Sequence, residues 1–291
     1  MLYEEMTYQE LYRWGREQLL SAEVPDAETD ARLLLEWCCG TDRNTLLVHG
    51  GREVSAGERE KYRTAIDRRQ GRVPLQHITG EQEFMGLNFF VNPDVLVPRQ
   101  DTEVLVEEVL KNLHDGMRIL DMCTGSGCIL LSLLRYSNNC TGTGVDLSAE
   151  ALKVARKNAG SILQIPSAEE NPCVRFLLSD LFQELKAEEK FDIIVSNPPY
   201  IKTSVIDTLM PEVRDHEPML ALDGREDGLY FYRRIIARAG DYLYREGMLF
   251  LEIGYDQGED VVRLMDEAGY MQVEVFRDYA GNDRVVQGVW C

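Results

Sequence analysis

The sequence lacks the features that mark metal sites, disulfide frameworks and membrane spans. Its seven cysteines are scattered without a C-x-x-C pair, which argues against a zinc site. An odd cysteine count in a chain of 291 residues is typical of a reducing compartment. No apolar run approaches the ~20 residues of a membrane span, and the first ten residues, MLYEEMTYQE, are too acidic and polar for a signal peptide. We therefore expect a cytoplasmic protein with no metal and no membrane partner.

Positive charge is also scarce. The chain has 31 basic and 50 acidic residues, for a formal net charge of −19. This balance disfavours a dedicated nucleic-acid binder, which needs basic residues to displace the counterions of phosphates. Residues 52–72 are a local exception, with seven Arg or Lys against four Asp or Glu. Two interpretations of this segment stay open: a solvated helix face, or a contact surface for a negatively charged partner.

The first eighty residues have the pattern of a small helical bundle whose boundary lies near Gly80. Capping boxes at Thr7-x-x-Glu10 and Ser55-x-x-Glu58 predict the start of two helices. Asp26 is expected to cap another helix that stops at Gly40. A short helix around residues 46–47 and a stop at residue 71 complete the bundle.

Residues 83–97 are predicted to form a β-hairpin that turns at the Asn-Pro-Asp sequence of residues 92–94. Asp101 or Thr102 is expected to cap the next helix. From residue 117 onward, seven short apolar strands alternate with helices, one of which is predicted to span residues 228–247. This alternation indicates an α/β fold with a mostly parallel sheet covered on both faces. The last two strands lie too close together for a helical crossover, so they are expected to pair antiparallel through residues 280–283.

The first signal of a binding site is the stretch DMCTGSGC, residues 121–128, in which a strand ends at Asp121 and a helix follows Gly125 and Gly127. Ligands of open α/β sheets bind beyond the carboxyl ends of the strands, and glycine lets a ligand approach the backbone. Either the loop binds a ligand, or a glycine merely turns the chain. Leu130 interrupts the G-x-G-x-x-G pattern of dinucleotide sites. The acid before the glycines indicates a ligand with a cationic or hydroxyl group, such as S-adenosylmethionine.

Acidic residues also end the next two strands. Asp146 follows Gly127 by 19 residues, and a carboxylate in this position can accept both hydroxyls of a ribose. Its alternative role, capping the next helix, suits Ser148 better. Asp180 ends the third strand and can accept the exocyclic amine of an adenine, with Leu181 packed near the ring.

The fourth strand ends in the N-P-P-Y segment, residues 197–200. Pro198 and Pro199 keep the chain extended. The side-chain oxygen of Asn197 and the carbonyl of Pro198 are two acceptors for the two hydrogens of one –NH2 group. Tyr200 offers a ring face to a planar amide or base. The segment is therefore predicted to recognise a planar, weakly nucleophilic –NH2 group, or else it is a tight turn after a buried strand.

These motifs, taken in order, resemble the family of peptide-chain-release-factor N5-glutamine methyltransferases. The resemblance rests on PLQHITGEQEFMGLNFFVNPDVLVPRQDTE, ILDMCTGSGCI, GVDLS, SDLF, IIVSNPPYI, EPMLALDGREDGLYFYRRI, LEIGYDQGE and RDYAGNDRVVQG. It implies a helical substrate-contact domain (residues 1–80), a hairpin linker (81–98) and a class I S-adenosylmethionine-dependent methyltransferase domain (99–291). The catalytic domain is expected to have a Rossmann-like seven-stranded sheet with the last strand antiparallel.

The resemblance also implies roles for single residues. The cofactor S-adenosylmethionine would contact Asp121, Cys123, Thr124, Gly125, Ser126, Gly127, Asp146, Asp180, Leu181 and Asn197. The substrate glutamine, in the Gly-Gly-Gln loop of class I release factors, would be held by Asn197, Pro198, Pro199 and Tyr200. The expected catalytic residues are Asn197, Pro198 and Tyr200. Gln100 departs from the family's usual proline, and Leu181 replaces the tryptophan of some members.

Methyl transfer to such an amide needs alignment and electrostatic support rather than a dedicated base. His216 borders the predicted site in sequence and is expected to be structural. Arg68 and Arg69 are candidates for contact with the release factor, and a monomer is expected. Two alternatives stay open: a DNA amino-methyltransferase, which would need a basic cleft, and a cofactor-binding protein without catalysis.

Overall fold

The computed structural model describes residues 6–165 and 173–291. The first five residues, on which the signal-peptide prediction partly depends, lie outside these ranges. The chain forms two compact units, one that ends at Gly80 but also includes Met210–His216, and one made of Glu81–Leu209 and Glu217–Cys291. The domain boundaries expected from the sequence did not include the return of a short internal segment to the first unit.

The first unit is built from helices whose ends follow the local sequence. They are α1 (Tyr8–Ser21), α2 (Ala27–Cys39), α3 (Arg43–His49), α4 (Ala56–Gln70) and α5 (Leu75–Thr79). Both capping boxes are confirmed, with the Thr7 and Ser55 hydroxyls accepting from the N–H three residues later. Asp26 precedes α2, but the prediction of a side-chain cap is wrong. Its backbone is not extended, so its carboxylate makes no capping hydrogen bond.

A buried ion network lies inside this unit. Arg69 Nε is 2.7 Å from Asp30 Oδ2, and its Nη2 is 2.9 Å from Glu212 Oε1. Arg72 Nη2 is 2.7 Å from the second oxygen of Glu212. Because Arg69 is only 5% exposed, the prediction that it contacts a partner at the surface is wrong. Burial forces its guanidinium to be paired, and the two carboxylates pair with it.

The second unit begins with a hairpin that is shorter than predicted. Its strands are β1 (Glu81–Phe84) and β2 (Leu87–Phe90), which pair antiparallel. The turn falls at Met85 and Gly86, both with positive φ, and not at residues 92–94. The Asn-Pro-Asp sequence bends the chain after the hairpin instead, with Asn92 Oδ1 accepting from Asp94 N at 3.1 Å.

A seven-stranded sheet forms the centre of the second unit. Its strands are β3 (Arg118–Met122), β4 (Thr141–Asp146), β5 (Val174–Leu178), β6 (Phe191–Ser196), β7 (Leu243–Glu252), β8 (Met271–Arg277) and β9 (Asp283–Val289). Their order is β5-β4-β3-β6-β7-β9-β8. The first five are parallel, and β9 is antiparallel to both neighbours, which confirms the predicted fold class.

The helices of this unit are α6 (Asp101–Asn112), α7 (Cys128–Arg135), α8 (Ala149–Ile162), α12 (Tyr230–Ala239) and α13 (Gly258–Glu267). Three short helices precede α12 in the chain: α9 (Thr203–Ile206), α10 (Pro211–Arg214), which belongs to the first unit, and α11 (Met219–Leu222). Two large clusters and one small cluster of buried hydrophobic residues form the core of the second unit.

Two predictions about these helices are wrong. The helix predicted over residues 228–247 stops before Gly240, because the chain packs there against Trp290: a Cβ at Gly240 would lie 2.5 Å from the indole. Leu243 already pairs with Phe191 as the first residue of β7. Neither Asp101 nor Thr102 caps α6, since both lie inside it and Gln100 precedes it. The Thr102 hydroxyl is engaged elsewhere, as described below.

Candidate active site

A pocket opens at the carboxyl ends of β3, β4, β5 and β6, where an open α/β sheet places its ligands. Nine residues singled out in the sequence line it: Cys123, Thr124, Gly125, Ser126, Asp146, Asp180, Leu181, Asn197 and Pro199. Four others, Asp121, Gly127, Pro198 and Tyr200, are not among its lining residues. The parallel register explains the grouping, because each strand delivers its last residue to the same edge of the sheet.

The glycine loop after β3 has an unusual backbone. Cys123, Gly125 and Gly127 have φ values of 62°, 54° and 80°. At Gly127 a side chain would be strained by this φ and would also meet Leu131 at 3.1 Å. A Cβ at Gly125 would meet nothing within 4 Å, so open space adjoins the loop there. The loop therefore presents its backbone to the pocket.

Asp121 lies beneath the loop rather than in the pocket. It is fully buried, and its Oδ2 accepts from the Thr124 hydroxyl at 2.6 Å. Among the described residues, its Oδ1 has no hydrogen-bond partner. Burial raises the pKa of Asp121 to about 7, although the Thr124 hydroxyl lowers it. Asp121 therefore supports the loop from beneath, and its contact with the cofactor stays a prediction.

Asp146 connects the loop to the start of α8. Its Oδ2 accepts from Gly125 N at 2.8 Å and its Oδ1 from Ser148 N at 2.9 Å. Ser148 caps α8, as predicted, by accepting from Ala151 N at 3.1 Å. Each oxygen of a carboxylate has two lone pairs, so Asp146 keeps acceptor capacity toward the pocket. Burial raises its pKa, while the backbone N–H groups lower it.

Asp180 is already paired with a cation. Arg234 contacts it through two parallel hydrogen bonds of 2.9 and 3.0 Å, one to each carboxylate oxygen. A bidentate guanidinium is a strong competitor for the adenine amine that Asp180 was expected to bind. Leu181, which is 6% exposed, lines the pocket beside it and holds a positive φ of 53°.

The N-P-P-Y segment is held by contacts on both sides. Asn197 Nδ2 donates to Thr102 Oγ1 at 3.3 Å, which leaves Oδ1 of Asn197 as an acceptor. Gln257 Nε2 donates to the Tyr200 carbonyl at 3.1 Å. Gly224 packs so closely that a Cβ would lie 2.7 Å from the Tyr200 backbone. The segment is therefore fixed by residues far from it in sequence.

Two of these supporting residues were missed as site residues in the sequence. Thr102 lines the pocket and is 2% exposed, although it had been considered only as a helix cap. Gln257, in the turn after β7, had not been singled out. Both residues belong to quoted motifs, Thr102 to VPRQDTE and Gln257 to LEIGYDQGE, which marks them as parts of distinctive stretches.

The pocket offers neither an imidazole base nor an activated thiol. No histidine is among the described residues that line it. His216, which was expected to border the site, belongs to the first unit, where its Nε2 lies 3.1 Å from the Gly71 carbonyl. Burial raises the pKa of the Cys123 thiol, which keeps it protonated. The arrangement is suited to binding and orienting a group rather than to nucleophilic catalysis by the protein.

Within residues 6–165 and 173–291, no group of His, Cys, Asp or Glu side chains has an arrangement that could hold a metal ion. Within the same ranges, no helix has both the length and the apolar character needed to cross a membrane.

Comparisons with known proteins assign both parts of the chain. The family model described as the PrmC N-terminal domain matches residues 10–80, and the one described as the methyltransferase small domain matches residues 99–213. The release factor glutamine methyltransferase of Agrobacterium fabrum is 40% identical over 280 residues, covering 94% of this chain and 93% of the relative. The protein of the same name from Caulobacter vibrioides is 41% identical over 277 residues, with 94% and 93% coverage.

A solved structure supports the fold alone. A 16S rRNA methyltransferase of T. thermophilus, in complex with AdoMet and guanosine, is similar with a TM-score of 0.51 and 18% identity. The match covers 72% of this chain and 50% of that one.

Proposed function

The chain belongs to the release factor glutamine methyltransferase family, and we propose that its pocket binds S-adenosylmethionine while residues 197–200 hold the glutamine to be methylated. It is an enzyme that transfers a methyl group to a glutamine of a release factor. The observation that carries the site proposal is the position of Asn197, an amide acceptor at the edge of a pocket that also contains Asp146 and the glycine loop.

The residues of the pocket fit the cofactor. Asp146 has acceptor capacity for the two hydroxyls of a ribose. Leu181 and Val145 give the same pocket an apolar wall suited to a base. The open space beside Gly125 leaves room for the methionine part against the loop backbone. Asp180 is proposed to contribute through its ion pair with Arg234 as part of the wall, rather than as a free acceptor.

The substrate part of the proposal rests on two acceptors. The Oδ1 atom of Asn197 and the carbonyl of Pro198 would each accept one hydrogen of the glutamine –NH2 group. Because Thr102 Oγ1 accepts a hydrogen bond from Asn197 Nδ2, the amide of Asn197 has a defined orientation. Tyr200 would lie against the flat carboxamide. Burial raises the pKa of its phenol, so its hydroxyl stays neutral.

S-adenosylmethionine, when bound, would supply an electrophilic methyl group, with S-adenosylhomocysteine as the leaving product. The nitrogen of a neutral carboxamide is a weak nucleophile because its lone pair is delocalised. Two acceptors on its N–H bonds would turn the lone pair toward the methyl group and would favour the positive charge that develops on nitrogen. The methylated nitrogen then loses a proton readily, so the pocket needs no base. The protein's contribution is orientation and electrostatics.

We also propose that the substrate glutamine is that of the Gly-Gly-Gln loop of class I release factors, and that the enzyme works as a cytoplasmic monomer. The net charge of −19 supports a protein substrate over a nucleic-acid one, since phosphate binding needs basic residues.

The test is mass spectrometry of the Gly-Gly-Gln peptide after incubation of a release factor with the enzyme and S-adenosylmethionine. A gain of one methyl group on the glutamine is expected, with no methyl transfer to duplex DNA in a parallel reaction. Asn197→Ala should lower kcat by at least ~10², the scale for losing one preorganised electrostatic partner. It should leave the Kd of the cofactor within about threefold. Rates within threefold of wild type would contradict the role of Asn197.

A further inference from the structure

One buried carboxylate beside the site has no role in the reaction described so far. Glu252 is the last residue of β7 and is 2% exposed. Within the described part of the chain, its Oε2 has no hydrogen-bond partner. A buried carboxylate is costly unless it is paired, so an unpaired one needs an explanation. The position of Glu252 relative to Asn197 indicates one.

The sheet register brings Glu252 next to the N-P-P-Y segment. In the parallel pair β6 and β7, Ser196 lies opposite Leu251. The following residues, Asn197 and Glu252, therefore occupy equivalent positions at the ends of neighbouring strands. Side chains at equivalent positions of parallel strands leave the same face of the sheet.

Thr102 connects the two residues. Its Oγ1 accepts a hydrogen from Asn197 Nδ2 at 3.3 Å, and a hydroxyl that accepts still has one hydrogen to donate. Because the register places Glu252 beside Asn197, the Thr102 hydroxyl that accepts from Asn197 also lies near this carboxylate, and the hydroxyls of Thr102 and Tyr200 lower the pKa of Glu252 against the effect of burial. A hydrogen bond from Thr102 to Glu252 would fix the direction of the chain: the amide donates to the hydroxyl, and the hydroxyl donates to the carboxylate.

We propose that Glu252 is a positioning residue, whose carboxylate holds the hydroxyls of Thr102 and Tyr200 and thereby turns Oδ1 of Asn197 toward the substrate nitrogen. This inference rests on the proposed function. A carboxylate suits the task because it only accepts hydrogen bonds. A group that donates to Thr102 in its place would reverse the chain. Thr102 would then donate to Asn197 Oδ1, and the Asn197 amide would turn its –NH2 group toward the substrate. The –NH2 group of the substrate glutamine would then face another donor, and the two would repel each other.

The charged and titratable groups around Glu252 come from several elements. Arg284 on β9 lowers the pKa of Glu252 and Asp101 on α6 raises it. The negative charge of Glu252 in turn raises the pKa of Tyr200, Tyr232 and Cys128. Arg284 is itself held by Asp278 and Asp101, at 3.0 and 3.1 Å. Burial raises the pKa of Glu252 to about 7. Below that pH Glu252 carries a proton that it can donate, and above that pH it only accepts, so kcat should fall on the acid side.

The experiment measures kcat, KM for the release factor and cofactor Kd for Glu252→Gln between pH 6 and 8.5. Glutamine has one acceptor oxygen and one donor nitrogen, so it can serve only one of the two hydroxyls. We expect kcat to fall at least ~10-fold at pH 8. This is smaller than the loss caused by removing a preorganised electrostatic partner, because the variant only disturbs the orientation of Asn197. The Kd of the cofactor should stay within twofold, and the acid-side fall of kcat should disappear. Glu108→Gln, which replaces another buried carboxylate, paired with Lys111 on α6, is the matched control and should keep wild-type kcat.

A double-mutant cycle separates positioning from a purely structural role. In the Asn197→Ala background, Glu252→Gln should cause less than a twofold further loss, because Glu252 acts through Asn197. Thr102→Val should reproduce the loss of kcat, and Thr102→Ser should retain most activity, which keeps the proposal testable if Glu252→Gln does not fold. Equal losses in both backgrounds, or an unchanged pH profile, would overturn the proposal. A wild-type enzyme that does not methylate the release factor would instead refute the proposed function.

Discussion

Asp146 is the residue whose replacement should separate cofactor binding from catalysis. In Asp146→Asn, one carboxylate oxygen becomes an –NH2 group that faces a backbone N–H. Gly125 N and Ser148 N now donate to the two oxygens at 2.8 and 2.9 Å, so one of them loses its acceptor. Leaving a buried donor unsatisfied costs about 1–3 kcal/mol. That cost falls on the loop that the methionine part of the cofactor would contact.

The proposed ribose contact adds to this loss. A hydrogen bond to a charged group contributes about 1.5–3 kcal/mol, and the variant weakens at least one of the two. A loss of about 1.5–3 kcal/mol in binding corresponds to a roughly 10- to 150-fold higher Kd. Asp146→Ala should be at least as severe, because both backbone donors lose their acceptor.

Calorimetric titration of the enzyme with S-adenosylmethionine measures this directly. Asp241→Asn is a suitable control, since Asp241 forms an ion pair with Arg238 at the surface, away from the pocket. The control should bind with wild-type affinity, and Asp146→Asn should keep a kcat of the same order at saturating cofactor. A Kd for Asp146→Asn within twofold of wild type would refute the ribose role and the argument from the loop.

Two further predictions concern stability. Burial raises the pKa of Asp121 from 3.8 to about 7, so the folded state binds this proton more tightly than the unfolded chain does. The stability gained from protonated Asp121 is complete below pH ~4 and is lost as the pH rises through ~7. In thermal unfolding, Asp121→Asn should therefore gain about 2 kcal/mol relative to wild type between pH 5 and pH 8, and parallel curves would contradict this. Arg69→Met leaves Asp30 and Glu212 buried without their shared cation and should lower the free energy of unfolding of the first unit by about 3–5 kcal/mol in urea; exposed Arg68→Met is the control, and equal losses for the two would disprove the network's role.

Local signals predicted most of the elements correctly. Capping boxes act over three residues, so Thr7 and Ser55 mark helix starts whatever the rest of the chain does. Strand ends were predicted to within two residues: the strands expected to end at Asp121, Asp146 and Asp180 end at Met122, Asp146 and Leu178. The errors arose where distant residues decide the outcome. The helix after residue 229 was predicted too long because Trp290, fifty residues later, packs on Gly240.

The candidate site shows the same division. The residues that gather at the carboxyl ends of the strands were recognisable by their type and order, and Asn197, Asp146 and Gly125 do line one pocket. The partners of these residues were not recognisable. Asp180 meets Arg234 across 54 positions, and Asn197 meets Thr102 across 95. Arg69 looked like part of a basic surface and is instead buried between two acids.

The sequence by itself determined the alternation of strands and helices, the edge of the sheet at which ligands bind, and the class of group that the N-P-P-Y segment can recognise. Those properties depend on residue type and on spacing along the chain. Only the tertiary structure decided which polar groups are paired, which carboxylates are buried, and which way the Asn197 amide points. These depend on long-range packing, because hydrogen-bond partners and burial are set by residues that fold against one another from distant parts of the chain.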